Sequence, residues 1–128
     1  MSEFKGKIIQ LKKGMTFYNA PETAGDTIQI VNGSREEEYD GSFIDLWEEN
    51  ADQSDIDFLC ANRDCPYGDR CLEYDLEGGH VIGELKEKMA DGDRFCILPL
   101  CPKCNSSHNK EKMTLRYDVK SPVLIWRE

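Results

Sequence analysis

The chain has 128 residues, with 16 Lys and Arg against 25 Asp and Glu, which gives a formal net charge of −9. This length suits a single domain, and the excess of acid argues against nucleic-acid binding, which draws most of its affinity from cationic side chains. No segment is apolar over the length that a bilayer crossing requires. Met1–Gln10 also lacks the pattern of a secretory leader. The sequence therefore predicts a cytoplasmic protein without a membrane partner.

The first part of the chain predicts short strands. Lys7–Leu11 and Thr27–Val31 carry the β-branched apolar residues typical of strands, and turn-forming Gly, Asn and Pro residues separate them. Asn32–Ser42 follows and is rich in charge, which indicates a solvated loop.

A domain boundary is expected at the acidic stretch Glu48–Asp57. Before it, Ser42–Trp47 mixes polar and apolar residues with no clear helical or strand period. Residues 1–50 would then form a strand-rich acidic segment, and residues 51–128 a zinc-binding domain.

The second part predicts more strand than helix. Phe95–Leu100 indicates a short buried strand, and Cys104–Met113 a short helix that Asn105 or Ser106 caps. Thr114–Val119 alternates as a strand does, and Pro122–Trp126 indicates a terminal apolar strand. The expected fold class is α+β, a small strand-rich domain.

Six cysteines suggest a metal site: Cys60, Cys65, Cys71, Cys96, Cys101 and Cys104. Cys101 and Cys104 form a Cys-Pro-Lys-Cys turn, in which backbone amides point at two thiolates on one metal. Because structural Zn²⁺ takes four ligands, a second pair must come from elsewhere. We expect Cys60 and Cys65 to supply it, with Cys71 as the alternative ligand. Cys96 lies in an apolar run, where cysteine behaves as a small hydrophobic residue.

Two other uses of these cysteines are a disulfide framework and a redox centre. A disulfide framework would require export, whereas cytosolic thiols stay reduced. A redox protein built on Cys101 and Cys104 would place this motif at the start of a helix in a βαβ pattern. The N-terminal strands do not supply that pattern, so a metal site is favoured over both.

Two segments around the histidines, Gly78–Gly83 and Phe95–Lys110, resemble the core of HNH-type nuclease domains supported by a zinc finger. The resemblance spans roughly residues 58–113. It implies a treble-clef finger with an HNH-like ββα core, in which His80 is the general base that activates water against a phosphodiester. It also implies that Asn105, at the last metal-binding position, helps hold a divalent cation such as Mg²⁺ or Mn²⁺.

The chain departs from that family at two positions. Gly79 stands where the family has an acidic metal ligand, and the segment 93–96 lacks the Asn that orients the histidine. A catalytic metal would then rest on Asn105 with His108 or Asp93, and Asn105 and His108 share one face of the expected helix. Such a site is poor for Mg²⁺, which normally takes one or two carboxylates. His80 as a structural histidine and His108 as a surface residue are the simpler interpretations.

These features favour a non-catalytic zinc-binding module that binds a protein partner rather than nucleic acid. Its acidic runs suggest an inhibitor of a nucleic-acid-binding protein, in which carboxylates stand in for phosphates. The aromatic residues available as binding anchors are Tyr39, Phe43, Trp47 and Trp126. The alternative is a divergent HNH-type, metal-dependent endonuclease acting on DNA, with His80 as its base. The sequence leaves open whether the protein is an enzyme.

Overall fold

The computed structural model describes residues 2–20, 27–32, 34–50, 59–67, 76–83, 94–106 and 108–126. These residues form eight strands and one short helix. In chain order the elements are β1 (Ser2–Leu11), β2 (Thr16–Asn19), β3 (Ile28–Asn32), β4 (Arg35–Glu38), α1 (Phe43–Asn50), β5 (Glu77–Gly83), β6 (Arg94–Leu100), β7 (Met113–Thr114) and β8 (Val119–Trp126).

All eight strands belong to one mixed sheet, in the order β4-β3-β1-β8-β6-β5-β2-β7. The β1–β3 pair is parallel, and the other pairs are antiparallel. The longest pairing joins β1 to β8, with Phe4 opposite Leu124. Strands from residues 1–50 and from residues 51–128 therefore lie side by side in the same sheet.

The sheet is strongly curled, as the turn between β1 and β2 requires. These strands stand third and seventh in the sheet, yet only residues 12–15 connect them. Gly14 makes the turn with a φ of 93°, in the left-handed region that favours glycine. The backbone N–H of Gly14 and the carbonyl of Met15 both hydrogen-bond Leu115, at 3.0 and 2.8 Å. The sheet therefore bends round until β1 and β2 meet, leaving a concave side.

The helix α1 packs on the other side of the sheet, against β5, β6 and β8. It buries Leu46 and Trp47, and the indole N–H of Trp47 donates to the Lys120 carbonyl at 3.1 Å. Trp47 is thus a core residue and not an exposed anchor. No helix formed by the described residues has the length and apolar character needed to span a bilayer.

The expected α+β fold with a treble-clef finger and an HNH-like ββα core is wrong, because the described chain is mostly strand with one short helix. The helix predicted over Cys104–Met113 is replaced by turns in its described residues. The Cys104 carbonyl, which would accept a helical hydrogen bond, instead accepts from the side-chain amides of Asn19 and Asn109, at 2.7 and 2.9 Å. Side chains that compete for backbone groups in this way disfavour helix.

Several strand predictions are confirmed. Lys7–Leu11, Phe95–Leu100 and Pro122–Trp126 lie within β1, β6 and β8, and Thr27–Val31 largely overlaps β3. The loop predicted over 32–42 is wrong in part, because its central residues form the edge strand β4, which pairs with β3. The Thr114–Val119 strand is also wrong, since only its first and last residues belong to strands.

Candidate metal centre

The first half of the centre is the turn that follows β6. Cys101 comes directly after the last residue of β6. The N–H of Cys104 points at the Cys101 sulfur at 3.4 Å, and the N–H of Asn105 donates to the Cys101 carbonyl at 2.9 Å. The two cysteines are buried, while Pro102 and Lys103 between them are exposed. This turn directs two sulfurs inward, as the Cys-Pro-Lys-Cys spacing predicts.

The second half is the loop that carries Cys60 and Cys65. Backbone hydrogen bonds fix Ala61 on both sides: its N–H donates to the Pro99 carbonyl, and its carbonyl accepts from the Arg116 N–H, each at 2.8 Å. The loop closes on itself where the Cys65 N–H donates to the Asn62 carbonyl at 3.1 Å. Since Pro99 belongs to β6, the sheet holds this loop beside the turn of Cys101.

Asn62 joins the two halves of the centre, and it is not among the site residues predicted from the sequence. Its side chain is only 7% exposed, and its Nδ2 lies 3.5 Å from the Cys104 sulfur. Its Oδ1 accepts from the Asp64 N–H at 3.1 Å, a local turn typical of Asn. An Asn two residues after a candidate ligand, in a loop between two cysteines, is the signal that would have found it.

The structure brings four sulfurs together. The Sγ atoms of Cys60, Cys65, Cys101 and Cys104 all lie within 4.8 Å of one another, and all four residues are buried. The sulfurs of Cys65 and Cys101 are 3.5 Å apart. A tetrahedral zinc with Zn–S distances of ~2.3 Å requires sulfurs ~3.8 Å apart, so the cluster has the size and the donor set to hold an ion such as zinc.

The interactions among the four thiols favour the binding of a metal cation. The hydrogen bond with Cys60, aided by those from Asn62 and Cys101, lowers the pKa of Cys104 to about 5. The same bond with Cys104, together with burial, raises the pKa of Cys60, and burial also raises the pKa of Cys101. The cluster thus favours one thiolate and resists several, because buried negative charges repel one another. A bound metal cation would relieve that repulsion.

The other two cysteines are Cys71 and Cys96. Cys71 falls outside the described residues, so its role as the alternative ligand stays a prediction. Cys96 lies on β6 and is half-buried, and it is not among the clustered sulfurs. The four clustered residues are those that the sequence favoured.

His80 is packed between two aromatic rings under α1. Its ring centroid lies 4.0 Å from that of Phe43, edge-on, and 4.6 Å from that of Phe95. Burial in this setting lowers the pKa of His80 to about 4. The imidazole is therefore neutral at pH 7 and packs against two aromatic rings, as expected of a structural histidine.

The three residues of the predicted nuclease centre are not brought together. A Cβ at Gly79 would meet the side chains of Leu100 and Asn105, whereas the neighbouring His80 faces α1. Successive strand residues point to opposite faces, so His80 and Asn105 lie on opposite faces of β5. The Asn105 amide donates to the Glu77 carboxylate at 2.9 Å. His108 is exposed in a turn.

The packing explains both glycines that precede His80. A Cβ at Gly78 would lie 2.5 Å from the backbone of Phe43 and of Ile44, at the start of α1. At Gly79 the same atom would overlap Leu100. The family's acidic ligand would not fit at Gly79 without moving buried side chains.

Comparison with known proteins finds no matching family model, no matching curated protein and no matching solved structure. The resemblance to HNH nucleases therefore rests on the motif residues alone. The cluster of four buried cysteines does not depend on that resemblance.

Proposed function

We propose that this protein is a non-catalytic zinc-binding module that recruits a basic protein partner. The observation that carries the proposal is the cluster of four buried cysteine sulfurs. With four thiolate ligands a tetrahedral zinc has no position left for water or substrate, which is the mark of a structural site. In this role zinc ties the Cys60 loop to the turn after β6 and so holds that part of the sheet together.

The edge strand β4 supports the choice of a basic partner. It is the first strand in the sheet order and pairs with β3. Its residues Glu36, Glu37 and Glu38 are all exposed, in a chain whose net charge is −9. Such a field attracts cationic surfaces and speeds their association. An inhibitor of a nucleic-acid-binding protein, with these carboxylates in place of phosphates, is the sharper form of the proposal.

The divergent endonuclease stays a prediction, and no contact of the described residues favours it. It needs His80 to accept a proton from water near a divalent cation. A histidine with a pKa near 4, packed between two phenyl rings, is a weak base at neutral pH. DNA cleavage in Mg²⁺ or Mn²⁺ that His80→Ala abolishes would revive this alternative.

Elemental analysis of the purified protein tests the zinc. We expect one zinc per chain, lost in Cys104→Ala and kept in the control variant Cys96→Ala. Replacing zinc by Co²⁺ should give the visible spectrum of a tetrahedral tetrathiolate site. A protein without metal, or a Co²⁺ spectrum with a water ligand, would contradict the structural site.

Charge reversal tests the partner surface. The double variant Glu36→Lys/Glu38→Lys changes β4, and the matched control Glu48→Lys/Glu111→Lys makes the same change in net charge at other exposed positions. We expect the β4 variant to lose at least about tenfold in affinity for a Lys/Arg-rich peptide at low salt, and the control to lose much less. Equal losses would mean that only net charge acts, and absence of binding by the unmodified protein would end the basic-partner proposal.

A further inference from the structure

The concave side of the curled sheet holds a second candidate binding site, whose chemistry differs from that of the cysteine cluster. It is a cavity of about 470 Å³, which lies in the ~300–1,000 Å³ range of small-molecule sites. Its walls come from β1, the turn before β2, β5, β6 and β8. Ile9, Leu11, Val81 and Val123 supply apolar side chains to it.

Two cations stand at this cavity. Lys7 and Arg94 both line it and both are exposed. No carboxylate is among the described residues that line it, although acidic residues outnumber basic ones by 25 to 16 in the chain. The cavity therefore combines apolar walls with two cations and, among its described lining residues, no carboxylate.

The walls leave unused space. A Cβ built at Gly83, which lines the cavity, would have no atom within 4 Å. Exposed apolar surface of this kind gains free energy when a ligand covers it, at roughly 25 cal/mol per Å². Cys96 also lines the cavity and is half-buried, so a ligand there would shield its thiol.

We propose that this cavity binds a small amphipathic carboxylate, with its apolar chain against the half-buried Ile9 and Leu11 and its carboxylate near Lys7 and Arg94. The apolar walls supply the affinity by burial. The two cations select an acid over a neutral molecule of the same shape. The described residues that line this cavity include none of the four clustered cysteines and none of the glutamates of β4.

Titration calorimetry with octanoate and 1-octanol tests the charge selection, because the two share one chain length. In the double variant Lys7→Gln/Arg94→Gln we expect octanoate affinity to fall about fivefold, as the loss of two exposed ion pairs implies, with octanol affinity unchanged. The control Lys110→Gln/Lys120→Gln makes the same charge change elsewhere and should leave both affinities unaltered. No saturable octanoate binding, or an equal loss in the control, would overturn the proposal.

Filling the cavity tests the location. Gly83→Leu places a side chain in the open space, so it should keep the melting temperature within a few degrees and abolish octanoate binding, while Gly83→Ala should weaken it partially. In a Cys71→Ala background, octanoate should also slow the alkylation of Cys96 severalfold. If Gly83→Leu is folded and still binds octanoate as tightly, or if octanoate leaves the alkylation rate unchanged, the cavity is not the binding site.

Discussion

The cysteine centre and the His80 site both bury a titratable group, yet their surroundings differ in kind. Around the sulfurs stand nitrogen donors, with the Cys104 N–H 3.4 Å from the Cys101 sulfur and the Asn62 amide 3.5 Å from that of Cys104. Around His80 stand the rings of Phe43 and Phe95. Hydrogen bonds favour the charged form at the first site, and burial disfavours it at the second.

The pKa values express this difference. At Cys104 a pKa of about 5 means that the charged thiolate is favoured at neutral pH. At His80 a pKa of about 4 means that the neutral imidazole is favoured. Both values are lowered, but hydrogen bonds cause the first and desolvation causes the second. Burial alone therefore does not mark a functional site, and the neighbours decide whether a buried group can bind a metal cation.

The largest expected effect comes from removing a clustered sulfur. Cys104→Ala should lower the free energy of unfolding by several kcal/mol, because zinc-binding free energy, about 10 kcal/mol or more in small fingers, is partly folding free energy. Cys96→Ala removes one small apolar group and should cost about 1 kcal/mol or less. Denaturant unfolding of both variants, with and without a chelator, measures the contrast.

Two results would break this comparison. If Cys96→Ala proved the more destabilising variant, the assignment of the four clustered cysteines as the metal ligands would be wrong. If the chelator left the unmodified protein as stable as before, the metal would not contribute to folding.

The second effect is an acid destabilisation that comes from His80. Its folded pKa of about 4 lies below the ordinary value of 6.5, so the unfolded chain binds a proton more readily. Stability from this group is fully present above about pH 6.5 and is lost as pH falls towards 4. The difference corresponds to a loss of about 3 kcal/mol at the acid end.

Unfolding free energies measured from pH 7 to pH 4 test this, with His80→Phe as the control. Acid protonates the zinc ligands to the same extent in both proteins, so their contribution cancels in the difference between the two curves. We expect the unmodified protein to lose stability more steeply on acidification. Parallel curves would mean that His80 is accessible to protons in the folded state, which would strengthen the nuclease alternative.

The third effect is a difference in stability between alanine substitutions at the two glycines that precede His80. Gly78→Ala should cost ~2–3 kcal/mol, because its methyl group would meet backbone atoms of α1 that cannot rotate away. Gly79→Ala meets the ends of the Leu100 and Asn105 side chains and should cost ~1 kcal/mol, since side chains adjust more easily. Thermal unfolding of the pair would contradict this packing if Gly79→Ala were the more destabilising.

The cysteine centre was predictable from the sequence because its signal is local. A Cys-Pro-Lys-Cys turn fixes two sulfurs within four residues, and a tetrahedral metal then demands a second pair. The fold was less predictable because its determinants are distant in sequence. Asn19, which lies 85 residues before Cys104, donates to the Cys104 carbonyl in the segment where a helix was expected. No periodicity within that segment contains this information.

The same reasoning explains the errors in the first half of the chain. The acidic segment that contains Arg35–Glu38 reads as a loop by composition, but an edge strand buries little and tolerates charge. Ser42–Trp47 had no clear period because only Leu46 and Trp47 of α1 are buried. In a helix of eight residues two buried positions do not define a stripe.

The smallest effect concerns the start of α1, which seals the His80 site. The Ser42 hydroxyl accepts from the Asp45 N–H at 3.3 Å, and the Asp45 carboxylate accepts from the Ser42 N–H at 2.9 Å. This reciprocal capping box resembles those formed by Ser and Glu. Ser42→Ala should cost about 1 kcal/mol, whereas Glu48→Ala, on the exposed side of the same helix, should change stability by less than about 0.5 kcal/mol.

Because α1 covers His80, Ser42→Ala should also speed hydrogen exchange in β5 while leaving the zinc content at one per chain. If this variant released zinc, the helix and the cysteine centre would be coupled, and the stability of one region would depend on the other.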